Sequence, residues 1–485
     1  MESLQDILYK APIVEVRGNT SLSIREVQFD SRAVVKGDVF VAIKGTQTDG
    51  HAYINKAIQS GAIAVVCEEM PESPSEEITW IKVKDGAQAL AIMCSNFYHQ
   101  PAGKMQVVGV TGTNGKTTTA TLLYELAKDL GYPVGLISTI RVCINDTEIP
   151  ATHTTPDAKS LHALFYQMVE AGCRFCFMEV SSHALVQYRV FGVPFAGAIF
   201  TNITRDHLDY HGTFQEYLKA KQILFNQLSD TSFAITNVDD KNGRIMVQNT
   251  RARVLTYSIT KPAQYSGKIL DNSAEGLLLT IEGHEVWSRL RGTFNASNLL
   301  AVYAAAMELD LSREEILVSL SGLTGVDGRF QTFRFPGEIT AVVDYAHTPD
   351  ALQNILDNVQ QMNTQNGRVI VVVGCGGNRD AGKRPEMARI AAEAGNQVIL
   401  TSDNPRDEDP EEILRQMEEG IPVSLKKRVL KITNREEAIR TACTLAQKND
   451  LILVAGKGHE TYQEIGGIKY PFDDRVILKQ YFGQS

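Results

Sequence analysis

A glycine-rich segment near residue 112 has the composition of a loop that binds nucleotide phosphates. It reads Gly112-Thr113-Asn114-Gly115-Lys116-Thr117-Thr118 and lies between the apolar stretch VVGV and a long amphipathic pattern. Glycines let backbone N–H groups close around phosphate oxygens, and the N-terminus of a following helix favours the same anion. Lys116 could reach the outer phosphates, and the Thr117 hydroxyl could bind Mg²⁺. The spacing is shorter than in the common phosphate loop, so an ordinary strand–helix turn is the alternative interpretation.

Two side chains that could bind a metal follow predicted strands in the same region. Glu179 comes after FCFM, and His207 comes after GAIFTNI within Thr204–His211. Residues at the carboxyl ends of parallel strands face the ligand crevice, and a carboxylate near nucleotide phosphates typically binds Mg²⁺. A lone Glu or His is more often a core or surface group, and His211 is equally explained by supporting a turn. Lys221, in the predicted helix 214–224, would by itself be interpreted as a solvated charge.

Polar groups also follow four predicted strands in the last third of the chain. They are Asp344–Asp350, Asn378–Asp380, Asp403–Arg406 and Gly456–Glu460. An ordinary solvated loop would explain any one of these segments, but the four together predict a ligand cleft. The segment Gly374-Cys-Gly-Gly is an incomplete dinucleotide fingerprint and carries little weight.

These motifs need elements that bring them together, and the pattern predicts an α/β chain of three domains. Residues 1–100 alternate short strands with turns and form a smaller N-terminal α/β domain. Residues 101–330 predict a central doubly wound parallel sheet that carries the phosphate loop, with an antiparallel insert around 253–290. Residues 331–485 predict a C-terminal Rossmann-like sheet. The break between the first two domains is expected at Gln100-Pro101.

Composition excludes several classes of protein. The chain has 485 residues and a net charge of −9, which argues against a nucleic-acid binder. The N-terminus lacks a signal-peptide pattern, and no apolar run is long enough to span a membrane. The seven cysteines are scattered; Cys173 and Cys176 form a CxxC-like pair, for which buried core thiols are favoured over a redox role. Reduced thiols fit a cytoplasmic enzyme.

Taken together, the motifs resemble the Mur ligase family. TGTNGKTTT, MEVSSH, TNITRDHLDYHG, GTFNASN, GVDGRFQ, DYAHTPD and GCGGNRDAGKRP occur in the order that the family uses, and Asp30-Ser-Arg32 and Asp403–Arg406 extend the match. The resemblance implies an ATP-dependent, ADP-forming ligase of peptidoglycan precursor synthesis, working through an acyl phosphate. The closest resemblance is to members that add meso-diaminopimelate to UDP-N-acetylmuramoyl-L-alanyl-D-glutamate. The expected partners are small molecules only, with no nucleic acid or membrane insertion, and the expected state is a monomer.

The same resemblance implies roles for individual residues. Residues 112–118 would hold ATP, together with Asn295, Asn298, Arg329 and Asp344. Two Mg²⁺ ions are expected, bound by Thr117, Glu179, His207 and Lys221, the last as a carbamate formed with CO₂. The residues that would bind the UDP-linked substrate are Ser31, Lys44, Gly45, Thr154, Thr155, Ser182, Gln187 and Arg189. Those that would bind diaminopimelate are Arg379, Asp403, Asn404, Pro405, Arg406, Gly456 and Glu460. Lys116, Lys221, Glu179 and His207 would be the catalytic residues.

Three alternatives remain open from the sequence. A lysine-adding Mur ligase would share the ATP site and differ at 403–406, because lysine lacks the distal carboxylate that Arg406 could bind. A folylpolyglutamate synthetase-like ligase would differ in the first domain. A phosphate-loop NTPase acting as a switch or motor would hydrolyse ATP without needing any amino acid.

Overall fold

The computed structural model describes residues 2–45, 48–273, 275–363 and 365–483 and has the predicted α/β character. Its three main sheets have five, eleven and six strands and occupy successive parts of the chain. Each sheet is covered by helices, and buried aliphatic side chains fill the layers between them. The predicted domain boundaries at residues 100 and 330 stay predictions.

The N-terminal five-stranded sheet has the order β2-β7-β6-β5-β4. Strands β4 to β7 are parallel, and β2 joins them antiparallel at one edge. The strands of this region are β1 Glu2–Ser3, β2 Ile13–Arg17, β3 Ser23–Ile24, β4 Val27–Gln28, β5 Val39–Val41, β6 Ala64–Cys67 and β7 Thr79–Val83. The helices are α1 Leu4–Ile7, α2 Ile54–Gln59 and α3 Gly86–Phe97, with 3₁₀ turns at Gly50–Tyr53 and Pro101–Lys104.

The central sheet has the order β11-β10-β9-β12-β8-β13-β14-β15-β16-β17-β18. Its strands are β8 Gln106–Thr111, β9 Val134–Ile137, β10 Arg141–Ile144, β11 Thr147–Pro150, β12 Phe175–Glu179, β13 Phe195–Phe200, β14 Phe233–Asn237, β15 Arg253–Ser258, β16 Tyr265–Ser273, β17 Gly276–Ile281 and β18 His284–Ser288. Its helices are α4 Lys116–Asp129, α5 Ala158–Glu170, α6 Ser182–Val186, α7 Leu208–His211, α8 Phe214–Asn226, α9 Gly243–Met246, α10 Thr293–Glu308 and α11 Arg313–Gly322. Because β12, β8 and β13 are adjacent and parallel, the segments that follow them lie side by side.

The expectation of an antiparallel insert at 253–290 is right only in part. Strand β15 pairs parallel to β14 and so belongs to the doubly wound sheet. Antiparallel pairing begins between β16 and β17 and continues to β18, and these strands extend the same sheet instead of forming a separate one. The short run RVLTYS reaches the sheet core through Leu255 and Tyr257, which a local hydrophobicity pattern does not reveal.

The C-terminal sheet has the order β19-β20-β24-β21-β22-β23 and is parallel except at the β19 edge. Its strands are β19 Gln331–Phe335, β20 Ile339–Asp344, β21 Val369–Cys375, β22 Gln397–Ser402, β23 Val429–Lys431 and β24 Leu451–Ala455, followed by the hairpin β25 Tyr462–Ile465 and β26 Ile468–Pro471. The helices are α12 Pro349–Met362, α13 Lys383–Ala394, α14 Pro410–Glu418, α15 Arg435–Leu445 and α16 Asp474–Tyr481, with a 3₁₀ turn at Val423–Arg428.

A buried arginine ties together the ends of two strands of this sheet. The Arg435 guanidinium donates to the carbonyl oxygens of Ser402 (3.5 Å) and Ala455 (3.1 Å), the residues just before Asp403 and Gly456. Its charge is balanced by Asp474, which accepts two hydrogen bonds at 2.7 and 2.8 Å. Both side chains are fully buried, so this pair fixes where two of the predicted cleft segments begin.

All seven cysteines are buried and free, as predicted for core thiols. Among the residues that the structure describes, no helix is long and apolar enough to cross a membrane.

Removing Asp474 should destabilise the C-terminal sheet strongly. The change Asp474→Ala leaves the Arg435 charge buried without a partner, so the free energy of unfolding should fall by about 3–5 kcal/mol. Urea denaturation followed by circular dichroism measures this. The matched control is Glu418→Ala, which breaks the exposed ion pair with Lys431 and should cost less than about 1 kcal/mol. Equal losses in the two variants would contradict the argument.

Candidate functional site

The predicted phosphate loop joins β8 to α4 and takes the open conformation that an anion needs. Gly112 and Gly115 have φ values of +154° and +85°, and a Cβ on Gly112 would overlap the Thr201 hydroxyl. The loop is held against the neighbouring strand end because Asn202 accepts from the backbone N–H groups of Thr113 (2.8 Å) and Asn114 (3.0 Å). The α4 N-terminus therefore points its free N–H groups towards the loop.

Two buried lysines share one backbone carbonyl in this loop. The Lys116 and Lys221 ammonium groups donate to the Gly112 carbonyl oxygen at 2.9 and 2.8 Å, and Lys116 also donates to Thr113 O at 2.8 Å. Interpreting Lys221 as a solvated charge is wrong, because only 1% of the residue is exposed. Burial lowers the pKa of both lysines, and for Lys221 the nearby Lys116 charge lowers it further. Such burial favours the neutral amine at Lys221.

Glu179 ends strand β12 and presents one free carboxylate oxygen. Its Oε1 accepts from the Thr139 N–H at 2.7 Å, whereas Oε2 is buried without a hydrogen-bond partner among the described residues. A buried carboxylate oxygen without a donor is costly unless a cation or another ligand binds it.

His207 lies at the N-terminus of the short helix α7 in the left-handed conformation, with φ 53°. Burial lowers its pKa, although Asp206, whose Oδ2 lies 3.3 Å from His207 Nε2, opposes this shift. A neutral imidazole is the form that binds metals. His211, for which support of a turn was one interpretation, ends α7, and its Nε2 lies 2.9 Å from the Ser182 hydroxyl.

These groups surround one cavity of about 580 Å³, whose wall includes Lys116, Thr117, Glu179, His207 and Lys221. Within the part of the chain that the structure describes, no three His, Cys, Asp or Glu side chains converge as a ready-made metal site. The donors that do converge are one carboxylate oxygen, one imidazole and one hydroxyl, which suit a Mg²⁺ ion that keeps waters and binds phosphate oxygens. They fit the predicted ion, and a carbamate on Lys221 would add the missing anionic oxygens.

The same cavity continues towards α10 and the C-terminal domain. Asn298, Arg329 and Asp344 line it, whereas Asn295 is not among the described lining residues and instead accepts from Asn298 Nδ2 at 3.0 Å. Arg329 bridges the domains, since it donates to the Thr117 hydroxyl at 3.1 Å and stacks 4.5 Å from the Tyr345 ring centre. Asp344 accepts from two backbone N–H groups, and burial raises its pKa.

A second cavity of about 470 Å³ lies between the central and C-terminal domains. Six of the seven residues predicted to bind diaminopimelate line it: Arg379, Asp403, Asn404, Arg406, Gly456 and Glu460. Pro405 is not among the described lining residues; its carbonyl accepts from Glu408 N at 3.0 Å. The two cavities have six lining residues in common: Thr154, Ser181, Asp206, His207, Tyr345 and His347. They are therefore two ends of one continuous cleft.

The hairpin β25–β26 orients Arg406. The Arg406 N–H donates to Glu464 O at 3.0 Å, and Gly466 N donates back to Arg406 O at 2.7 Å. Its guanidinium donates to Gly377 O at 2.7 Å, with Glu464 Oε2 at 3.4 Å from Nε. Because the hairpin was not predicted, its role in placing this arginine was missed.

The residues predicted to bind the UDP-linked substrate separate into two groups. Thr154, Thr155 and Arg189 line the second cavity, and Thr155 accepts from Ser181 N and donates to Glu179 O. Ser182 lines the first cavity, and Gln187 supports Arg189 at 2.7 Å. The other three, Ser31, Lys44 and Gly45, lie in the N-terminal domain and are not among the described residues that line either cavity. Lys44 forms ion pairs with Glu68 and Glu69.

Sequence reasoning missed several residues of the cleft. Asp206, Lys383, Tyr345 and His347 lie in segments that were singled out, but received no role of their own. Lys457 was passed over although it lies within Gly456–Glu460, and it proves to be completely buried. Its only signal in the sequence is a lysine between two glycines at a strand end, where the chain can turn sharply.

Three family models match the chain in succession. Residues 23–98 match the Mur ligase family, catalytic domain; residues 110–306 match the Mur ligase middle domain; and residues 328–458 match the Mur ligase, glutamate ligase domain.

Relatives with full-length similarity carry one name. A protein of Cytophaga hutchinsonii is 54% identical, with 98% of each chain covered, and one of Bacteroides thetaiotaomicron is 52% identical, with 99% of each chain covered. Both are named UDP-N-acetylmuramoyl-L-alanyl-D-glutamate–2,6-diaminopimelate ligase.

Solved structures agree on the fold. The structure of a ligase of that same name matches with a TM-score of 0.70 at 34% identity and covers 99% of each chain. A Mycobacterium tuberculosis folylpolyglutamate synthase matches with a TM-score of 0.63 over 81% of this chain and 94% of its own, but at 17% identity it supports the fold alone.

A methyl group on Gly115 should weaken nucleotide binding. In Gly115→Ala the left-handed backbone becomes strained and the new Cβ would lie 2.7 Å from Asn298 Oδ1, so the dissociation constant for a nonhydrolysable ATP analogue should rise about tenfold or more. Calorimetric titration with Mg²⁺ present measures this. Gly131→Ala is the control, since its φ is +80° but a Cβ there contacts nothing. Equal affinities in the two variants would contradict the assignment of the loop.

Proposed function

The chain belongs to the Mur ligase family, and on that premise we propose that it joins meso-diaminopimelate to UDP-N-acetylmuramoyl-L-alanyl-D-glutamate with cleavage of ATP to ADP. The single observation that carries this proposal is the continuous cleft. One end has a phosphate loop with buried cations, and the other end has arginines and carboxylates suited to an amino acid. The full-length relatives that are more than half identical bear the name of this reaction.

The first step is transfer of the ATP γ-phosphoryl group to the D-glutamyl side-chain carboxylate. A carboxylate oxygen forms the new bond to phosphorus, and ADP leaves. Lys116 and the α4 N-terminus offset the negative charge on the phosphates, and Arg329 approaches beside Thr117 from the segment just before β19. Mg²⁺, held by Thr117, Glu179, His207 and the Lys221 carbamate, would supply further charge stabilisation.

The second step forms the amide. The amine of the incoming amino acid attacks the acyl carbon of the acyl phosphate, loses a proton, and phosphate leaves. The amine must approach from the second cavity, which meets the first at Asp206, His207 and Tyr345. Thr154, Thr155 and Arg189 lie beside this junction, where the dipeptide arm of the UDP-linked substrate would end. The UDP group would then extend towards Ser31, Lys44 and Gly45.

Diaminopimelate is proposed as the amino acid because of its second carboxylate. Arg379 and Arg406 both line the second cavity and can pair with carboxylates, which arginine binds bidentately. Lysine would leave one arginine without its partner, and such an unpaired group discriminates strongly. We further propose that the enzyme acts as a cytoplasmic monomer.

Phosphate release should depend on diaminopimelate. With ATP, Mg²⁺ and UDP-N-acetylmuramoyl-L-alanyl-D-glutamate present, adding diaminopimelate should start steady phosphate release, and lysine should give a kcat/KM lower by about 100-fold or more. Equal turnover with lysine would identify a lysine-adding ligase. Release without any amine would identify a switch or motor NTPase, and use of a folate substrate would identify a folylpolyglutamate synthetase-like enzyme.

The variant Arg406→Met should remove the preference for diaminopimelate over lysine. We expect kcat/KM to fall for diaminopimelate but not for lysine. Its matched control is Arg389→Met, which breaks an exposed pair with Glu393 on α13 and should leave both values unchanged.

Lys221 should be essential, whereas its helical neighbour should not. The variant Lys221→Met cannot form a carbamate, so kcat should fall on the order of 100-fold or more while the protein stays folded. Steady-state phosphate release and the thermal midpoint measure the two effects. Lys219→Met is the control, because Lys219 is exposed and pairs with Glu216 one turn away. Full activity of Lys221→Met would refute the carbamate.

A further inference from the structure

A buried lysine lies behind the carboxylates of the second cavity. Lys457 follows strand β24, and none of its side chain is exposed. Its ammonium group donates to Glu460 Oε2 at 2.9 Å and to Asn404 Oδ1 at 3.0 Å, and Asp403 Oδ1 lies 3.6 Å away. Lys457 therefore contacts three residues of the cavity wall, and it does so from behind that wall.

These contacts form a closed triangle. Asn404 Nδ2 donates to the same Glu460 oxygen at 2.8 Å, so Lys457, Asn404 and Glu460 are each bonded to the other two. Asp403 Oδ1, by contrast, has no hydrogen-bond partner in the part of the chain that the structure describes. One carboxylate is thus fixed in place by the lysine, and the other is drawn towards it but keeps a free acceptor.

The backbone is shaped to direct this lysine inward. The flanking residues, Gly456 and Gly458, have φ values of +116° and +53°. A Cβ on Gly458 would lie 2.6 Å from Gly328 O, and one on Gly456 would lie 3.0 Å from Asp403 Oδ2. Side chains at these positions would be strained and crowded, so the two glycines let the chain pass between Asp403 and Gly328 with Lys457 turned inward.

The charges of these side chains determine which group of a ligand the cavity can accept. Asp403 and Glu460 together carry two negative charges beside the cavity, and Lys457 contributes one positive charge from within the wall. The net charge of these three side chains is then −1, which matches a single ammonium group of the amino acid. Without the internal ammonium, the buried Asp403 carboxylate and the partly buried Glu460 carboxylate would repel each other, and Glu460 would lose the hydrogen bond from Lys457.

We propose that Lys457 is a positioning residue for the amino-acid substrate: it fixes Glu460 and Asn404 and balances one carboxylate, so that the cavity accepts one ammonium group. The lysine does not itself touch the substrate. This inference rests on the proposed function, because it takes the second cavity as the site of the amino acid.

The test compares two lysine variants across the separate substrates. In Lys457→Met the KM for diaminopimelate should rise about tenfold or more, since charge-assisted contacts that hold the acceptors are lost. The KM values for ATP and the UDP-linked substrate should stay within about twofold. Label exchange from ADP into ATP, measured without any amine, should also persist, because forming the acyl phosphate does not involve the residues that Lys457 contacts.

Lys431→Met is the matched control, because it removes a lysine–glutamate pair from the surface of the same domain. It should leave all three KM values unchanged. Should Lys457→Met fail to fold, Lys457→Gln keeps hydrogen bonding without the charge and carries the same expectation. An unchanged KM for diaminopimelate, or an equal rise for all three substrates, would overturn the proposal. Wild-type turnover that does not require diaminopimelate would instead refute the proposed function.

Discussion

Two ammonium groups directed at one carbonyl oxygen are the interaction on which the rest of the cleft depends. Lys116 and Lys221 cannot both remain charged beside Gly112 O at no cost, since burial and mutual repulsion oppose it. In the proposed mechanism a phosphate group would relieve this for Lys116, and conversion to a carbamate would relieve it for Lys221. The Glu179 oxygen that has no hydrogen-bond partner among the described residues has the opposite need, because a cation or a hydrogen-bond donor would stabilise it. The charges of these three side chains are thus complementary to the nucleotide, the metal and the CO₂ that the proposed function requires.

The order and direction of the strands bring these charged groups close together. Adjacent parallel strands place the phosphate loop, Glu179 and the His207 segment at one edge of the central sheet. The C-terminal sheet offers its own strand ends to the same space, and the buried pair of Arg435 and Asp474 fixes two of them. Arg329 and Tyr345 then link the two edges. The proposed chemistry between ATP and an amino acid would therefore take place where two sheets face each other.

Much of this could be predicted from the sequence, because residues after parallel strands must gather at one edge. That rule placed Glu179, His207, Arg379, Asp403 and Glu460 in the cleft. The rule failed where the position of a residue depends on contacts between elements that are far apart in the sequence. The burial of Lys221 and Lys457 is decided by surroundings that neighbouring residues do not reveal, and the pairing of β15 with β14 is decided by sheet order. Ser31, Lys44 and Gly45 are not among the described lining residues of the two cavities, and they belong to the region of the separate N-terminal sheet.

The shared wall between the two cavities has a consequence for the design of inhibitors. A compound that joins a phosphate-loop anchor to an amino-acid mimic would have to cross between the two cavities at Asp206, His207 and Tyr345, because these residues border both spaces. Once one half is bound, the other half is held at a high effective concentration beside its own pocket. Two weak fragments, tethered across this passage, would combine into a tight and selective ligand.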